Sequence, residues 1–494
     1  MPSSSELFQL IKSLTSNEKR HFQLSTALQQ GKKNYVLLFE AMDAQCANEP
    51  YDKELVVQQL EGYKFVKSLH VTENYLYQRI MDSLRSYHAD KHITSKLYDL
   101  LTNAEILTQK GFYKVALEAL NQAEKLAIKH HKSLILAAVA PRKIELMVAD
   151  KERHLTEQLE ELYSQLQEVN RQLEEESTYV YWHHWLVLVF RKWRDPKDPA
   201  ILQKIEECFE WVSQQDFPAE GTFQTQCYYY TIQSLYYQLT KNYEQGNVIH
   251  AKILEIWEAN PSILKEKLAV YIARLSNYIN NSLTCGKQDL VYELIEKMEA
   301  LPTITFDEEG EQFQNVYFYK QLYYLNNSQL EEAAQLIPAI EKGLQKYVQK
   351  VNPTRKMAFY YNSTVIYFLL ENYEEAMDWL EKILVTTRTY EPRTGVRRFA
   401  RILEMAILYK LGQHDLLESR FRSVNRNKKL KEEMHVLEQV TLQYFKKLLD
   451  MPVSASAEKA LFEEFRAALQ ALTPVEQRVT GFEEFLIWVN RMCA

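Results

Sequence analysis

The sequence predicts an all-α fold: an α-α superhelix, a solenoid of about nine helical hairpins, between an N-terminal helical bundle and a C-terminal capping helix. Three observations carry this expectation. The pattern Gly111-Phe112-Tyr113-Lys114-Val115-Ala116, with Ala123 seven residues on, sits between helical runs at 98–110 and 114–130 and returns in weaker copies. Aligned on Gly111, later turns fall near Lys151, Asp195, Lys241, Gly286, Ser328, Glu371, Gly412 and Val453, at intervals of 40, 44, 46, 45, 42, 43, 41 and 41. Glycine is scarce, 11 in 494 residues, and no Ser/Gly- or Pro-rich linker divides a chain too long for one core. Stacked hairpins resolve that tension, because each buries itself against its neighbours.

Composition narrows the function classes. A net charge of -7 gives no global drive toward nucleic acid. Met1 to Ser5 has no basic start and no apolar run after it, so no secretory signal is expected. The run 179–190 is too short to span a membrane and carries two histidines. Five scattered cysteines, an odd number, fit reduced thiols and a cytoplasmic protein.

Residues 1–95 are expected to form the N-terminal bundle. Ser3 with Glu6, and Thr15 with Glu18, are capping boxes opening two short helices, and Asn34–Asp43 and Lys53–Leu60 supply two more. The spacing over 65–87 resembles a helix-turn-helix, with a turn near His70, Thr72 as N-cap, and Asn74, Gln78 and Arg79 placed to read DNA. Histidine at the turn and twelve Lys/Arg balanced by twelve Asp/Glu in residues 1–100 weigh toward a plain capping bundle.

The array is expected over 96–472. Asn372-Tyr373-Glu374-Glu375-Ala376 keeps the tyrosine and alanine of the first copy, Lys241-Asn242-Tyr243 keeps the tyrosine with Gly246 in the small position, and Ser328 is followed by Leu330 and Ala333. These Gly/Tyr/Ala offsets resemble the tetratricopeptide repeat (TPR), over about three quarters of the chain. The period departs from the family's 34 residues, and longer helices or inter-repeat loops such as Thr303 to Glu311 would account for it. Prolines 261, 302, 353 and 392 punctuate the hairpins. The resemblance implies a concave groove lined by the first helix of each hairpin, where asparagines hold a peptide backbone. Carried over by register, groove positions include Ser276, Asn277 and Asn280, then Tyr361, Asn362 and Val365 two repeats later, with Tyr319 interrupting the asparagine ladder. Leu155, Leu159, Leu162, Leu166, Val169 and Leu173 form a heptad seam, read either as a hairpin helix within the array or as a homo-oligomer seam.

Thr473-Pro474-Val475-Glu476 opens the C-terminal cap, 473–494, with Phe482, Phe485, Leu486, Trp488 and Val489 facing the array and Arg478 and Glu483 solvated. Catalytic signatures are missing: no Gly-rich phosphate loop, no G-x-S-x-G, no H-E-x-x-H and no C-x-x-C. His88 and His92 make an incomplete metal pair, His183 and His184 read as part of an aromatic core, and Glu174 to Glu176 as a solvated face. Residues 393–431 hold eleven Lys/Arg against Glu404, Asp415 and Glu418, a local net of +8. Within it Arg397, Arg398 and Arg401 crowd a helix start, where cations are disfavoured. Their counter-charge is either an external acidic partner or the acidic stretch Asp307, Glu308, Glu309 and Glu311.

The function expected is a non-catalytic scaffold binding a protein or peptide in the groove, with no enzyme activity, cofactor or metal. The alternative is a ligand-sensing transcriptional regulator whose N-terminal bundle binds DNA.

Overall fold

The computed structural model describes residues 2–27, 33–46, 51–88, 93–149, 156–193, 196–219, 221–386, 394–426, 434–450, 455–477 and 481–493. Among them every regular element is helical, and successive helices pack on their neighbours as hairpins. None is long and apolar enough to cross a membrane. The chain divides into two compact units, 1–179 with 219–225, and 180–218 with 226–494.

In the first unit, helices Ser4–Ser13, Ser16–Ala27, Asn34–Ala44, Lys53–Gln59 and Leu69–His88 enclose Phe8, Ile11, Phe22, Leu38, Phe39, Met42 and Leu76. Both capping boxes form: Glu6 and Glu18 accept from the backbone N–H of Ser3 and Thr15 at 2.7 and 2.8 Å. The turn expected near His70 does not. Lys64–Ser68 is a short 3-10 segment that runs straight into Leu69–His88. Thr72 is buried inside that helix instead of capping it. The reason is an unbroken helical period: Leu69, Thr72, Glu73, Leu76, Ile80 and Ser83 share the buried face, with no glycine or proline to interrupt them.

A second cluster in this unit joins Ile93–Gln109, Tyr113–Lys129 and Ser133–Ala149. Ala116 and Ala123 are fully buried there, so the two helices flanking Gly111 approach closely. The heptad seam and the histidine pair at 183–184 fall on one continuous helix, Thr156–Lys192, where two helices were expected. No glycine or proline lies between those ends to break it. Leu159, Leu162, Leu166, Val169 and Leu173 are half-buried, and Leu155 lies outside the described residues. Glu176 leaves the solvated face, accepting from the Thr222 hydroxyl at 3.2 Å.

The second unit is a run of hairpins whose first helices are Leu268–Thr284, Phe306–Asn326, Pro353–Leu369, Thr394–Lys410 and Val436–Asp450. Each of the first four packs against the first helix of the next hairpin. The expected turns are present where the chain is described: Gly111, Lys241, Gly286, Ser328, Glu371 and Gly412 hold φ of 80°, 61°, 69°, 57°, 63° and 69°. After each, the next backbone N–H donates to the carbonyl five residues back, at 2.8–3.0 Å. The turns near 151, 195 and 453 lie outside the described residues, as does Pro392.

The extra length per repeat is not a loop at 303–311. Thr305 and Glu308 form a capping box and the helix begins at Phe306. The acidic residues of its first turn are engaged nearby, Asp307 with Lys350 at 2.7 Å and Glu309 with Lys346 at 2.8 Å. Asp307 and Glu309 thus have lysine partners of their own, whereas the side chains of Arg397 and Arg398 lie outside the described residues. The expected terminal helix is two pieces, Pro474–Gln477 and Phe482–Cys493. Phe482, Phe485, Trp488 and Val489 are buried and Glu483 is exposed, while Arg478 is outside the described residues.

Candidate functional site

Helix Leu268–Thr284 shows the geometry best. Leu268, Tyr271, Ile272, Leu275, Tyr278 and Ile279 are buried, while Val270, Ala273, Asn277, Asn280 and Thr284 return at helical spacing as an exposed face. Asn277 is exposed and makes no hydrogen bond among the described residues. Asn280 donates from Nδ2 to the Tyr319 hydroxyl at 2.8 Å, and that hydroxyl donates to the Ser276 carbonyl at 3.1 Å. Ser276 in turn donates to Asn315 at 3.2 Å. Tyr319 and Ser276 therefore stitch adjoining repeats together. Asn247 does the same one repeat earlier, accepting from Asn281 and Ser282 at 2.9 Å each.

One turn before Asn277 on the same helix stands Arg274. Among the described residues its guanidinium makes no hydrogen bond and no ion pair, and its Nε is closed to solvent. Burial pulls its pKa below the ordinary arginine value. Its charge reaches His183, Cys227 and His250, which come from three other helices. His183 packs on Tyr228 with ring centroids 4.6 Å apart, and its Nδ1 is also buried without a partner. His250, only 7 % exposed, stacks on Tyr278 at 5.8 Å. Burial, reinforced by the Arg274 charge, pushes both histidines down to about 4. The Cys227 thiol is pushed up to about 12, again by burial. These residues are neutral donors and aromatic walls around one cation.

The pattern carried a sequence signal that went unused. His183, Tyr228 and Arg274 lie twelve, thirteen and twelve residues before the turns near 195, 241 and 286, so they hold nearly one register in three consecutive repeats. The groove positions expected by register, Ser276, Asn277, Asn280, Tyr361, Asn362 and Val365, do not include this cation among aromatics.

The other groove positions separate from Asn277. Asn362 is buried and donates to Gln321 at 3.4 Å, and Val365 belongs to the hydrophobic core. Tyr361 is half-buried, its hydroxyl donating to Glu484 at 3.5 Å, and burial with that carboxylate raises its pKa well above the ordinary value. Projection along one helix identifies a face but not what later covers it. At the N-terminal bundle, Asn74 is half-buried, Gln78 exposed, and Arg79 faces Asp82 at 3.6 Å. His88 donates from Nε2 to the Glu18 carboxylate at 2.7 Å, and His92 lies outside the described residues.

The basic cluster is not a uniform patch. The Arg397 and Arg398 side chains lie outside the described residues, and Arg401 is half-buried with no ion pair among the described residues. Arg420 holds the buried Glu404 at 2.8 Å, and Arg422 pairs with Glu418 at 2.5 Å. Lys410, Arg422 and Lys446 line a cleft of about 790 Å³ that Asp415, Glu418, Asp450 and Glu458 line as well, so its charges nearly cancel. No family model, no curated protein and no solved structure matches the chain.

Proposed function

We propose that the chain is a non-catalytic scaffold that binds a protein or peptide segment across the first helices of successive hairpins. The observation that supports it is the chain's own terminal helix. Phe482–Cys493 lies against the first helices of three consecutive hairpins, its Phe485 meeting Phe399 at 6.1 Å and its Trp488 meeting Phe368 and Phe445 at 5.8 and 6.5 Å. Glu484 meets Tyr361, a groove position, and Arg491 donates to the Leu369 carbonyl. A helix docked by aromatic anchors in this way is a common recognition mode. Earlier in the run, the exposed face of Leu268–Thr284 carries Asn277, which has no hydrogen-bond partner among the described residues, with the half-buried Arg274 one turn before it. A cytoplasmic setting belongs to the same proposal, since the five cysteines are free thiols.

Affinity capture with the full chain and an Arg274→Gln/Asn277→Ala variant tests the reading, with and without nuclease. Loss of one discrete partner in the variant is the expected result. Equal recovery by both chains would refute a site on this face. Recovery that disappears on nuclease treatment would favour the DNA-binding regulator.

A further inference from the structure

We propose that Arg274 anchors a carboxylate-binding site, the guanidinium gripping the carboxylate and Asn277, one turn on, holding the adjoining polar group of the same ligand. The inference deepens the scaffold reading and rests on it for the ligand being a peptide segment.

Several lysines elsewhere in this unit pair with a carboxylate one repeat earlier. Lys287 meets Glu244 at 2.6 Å, Lys297 meets Glu258 at 2.5 Å, and Lys382 meets Glu341 at 2.8 Å. Those pairs are partly exposed, where an unpaired lysine would cost little. Arg274 differs: it is half-buried, and its Nε is shut off from solvent with no hydrogen-bond partner among the described residues. An uncompensated guanidinium in such surroundings is strongly unfavourable, and a bound anion removes the penalty. A ligand that completes the site thus gains more than a surface ion pair would give.

The neighbours select the kind of anion. Arg274 offers one delocalised charge and a planar fork that matches a carboxylate with two parallel hydrogen bonds. Lys267 is felt at Cys227 but at neither histidine. His183 and His250 are held neutral, so each offers at most one N–H and no second charge. A monoanion is balanced in this environment, whereas a phosphate dianion would leave a buried negative charge. Tyr228, packed on His183 and felt by Arg274, supplies an apolar wall that strengthens such a pair by excluding water. Asn277 stays exposed, so the ligand enters from the face on which the scaffold reading depends. A peptide's C-terminus and an Asp or Glu side chain both present this chemistry.

The test uses the full chain with Arg274→Gln and Arg274→Lys. Melting is followed by circular dichroism in acetate, phenylacetate and phosphate at one ionic strength, against chloride. The expected result is a rise with the carboxylates that Arg274→Gln abolishes and Arg274→Lys keeps in part. A rise of equal size in Arg274→Gln, or one produced by phosphate alone, overturns the assignment. Arg274→Gln itself should melt at or above wild type, because it removes an unpaired charge. Loss of its helical signal would mean that the guanidinium has an internal partner, and would overturn the proposal too.

A second arm uses immobilised random peptides, with free or amidated C-termini and with or without Asp and Glu. Wild type should retain carboxylate-bearing pools about tenfold or more over the amidated, acid-free pool, and Arg274→Gln should lose that margin. Which carboxylate confers retention identifies the source. Equal retention of all pools overturns the site. Should wild type retain none while the acetate effect remains Arg274-dependent, the scaffold reading fails and the carboxylate site stands.

Discussion

Lys241, Ser328 and Glu371 hold φ of 61°, 57° and 63° at turns where Gly111, Gly286 and Gly412 do the same work without a Cβ. A side chain in the left-handed region is strained, and the hairpins tolerate it because the turn's backbone hydrogen bonds recur unchanged. Each of Lys241→Gly, Ser328→Gly and Glu371→Gly should stabilise the chain by about 0.5–1 kcal/mol, after the extra freedom of glycine in the unfolded state is subtracted. Urea midpoints measure this, and a destabilising result at all three would contradict the strain argument. The buried histidines make a second residue-scale prediction. Burial first and the Arg274 charge second push His183 and His250 down to about 4 in the folded chain, from the ordinary imidazole value of about 6.5. For a base depressed in this way the unfolded state binds more protons, so stability is full above about 6.5 and falls as pH drops toward 4. The loss is at most about 1.4 kcal/mol per pH unit for each histidine. A His183→Phe/His250→Phe variant should flatten the decline, and an unchanged pH profile would show that other groups cause it.

Helices in the second unit meet through side chains that leave no room for growth. A Cβ on Gly343 would lie 2.0 Å from the Phe313 ring, and one on Gly481 would lie 2.1 Å from the Phe399 ring. Gly343 sits in helix Ile337–Lys346 and Phe313 in Phe306–Asn326, so the glycine sets how closely this hairpin closes. Gly343→Ala should destabilise by about 1–3 kcal/mol through overpacking. Phe313→Leu in the same chain should recover part of that loss, and a double-mutant cycle measures the coupling. Strict additivity of the two changes would argue against direct packing. Element identity was legible from capping boxes and helical periods, as at Ser3, Thr15 and Thr473. The joins were not: Thr156–Lys192 runs through a boundary placed between two expected helices.

In the second unit, contacts run mainly between adjoining hairpins, and the terminal helix is the exception because it returns to Pro353–Leu369. Deleting residues 314–356 removes one repeat length and should leave a helical chain of lower melting temperature. It places Asn362 where Tyr319 stood, and the shorter side chain leaves the Ser276 carbonyl and Asn280 without their shared hydroxyl. Circular dichroism checks the outcome, and global unfolding would count against a nearest-neighbour array.

The residues by themselves determined that the chain is helical, where its hairpins turn and which helix starts are capped. Those features depend on backbone conformation and hydrogen bonds within about one helical turn, and neighbouring residues specify them. The tertiary structure alone decided which faces stay open. Asn277 and Asn362 share a register, yet one is exposed and the other buried, because burial depends on repeats some forty residues away and more. The same holds for the helix-turn-helix spacing at 65–87, which became one helix once its buried stripe met the bundle core. Arg274 looked like any solvated cation in the sequence. Only packing set it beside His183, Tyr228 and His250 with no ion pair among the described residues, since charge compensation is a property of the fold and not of the helix that carries the charge.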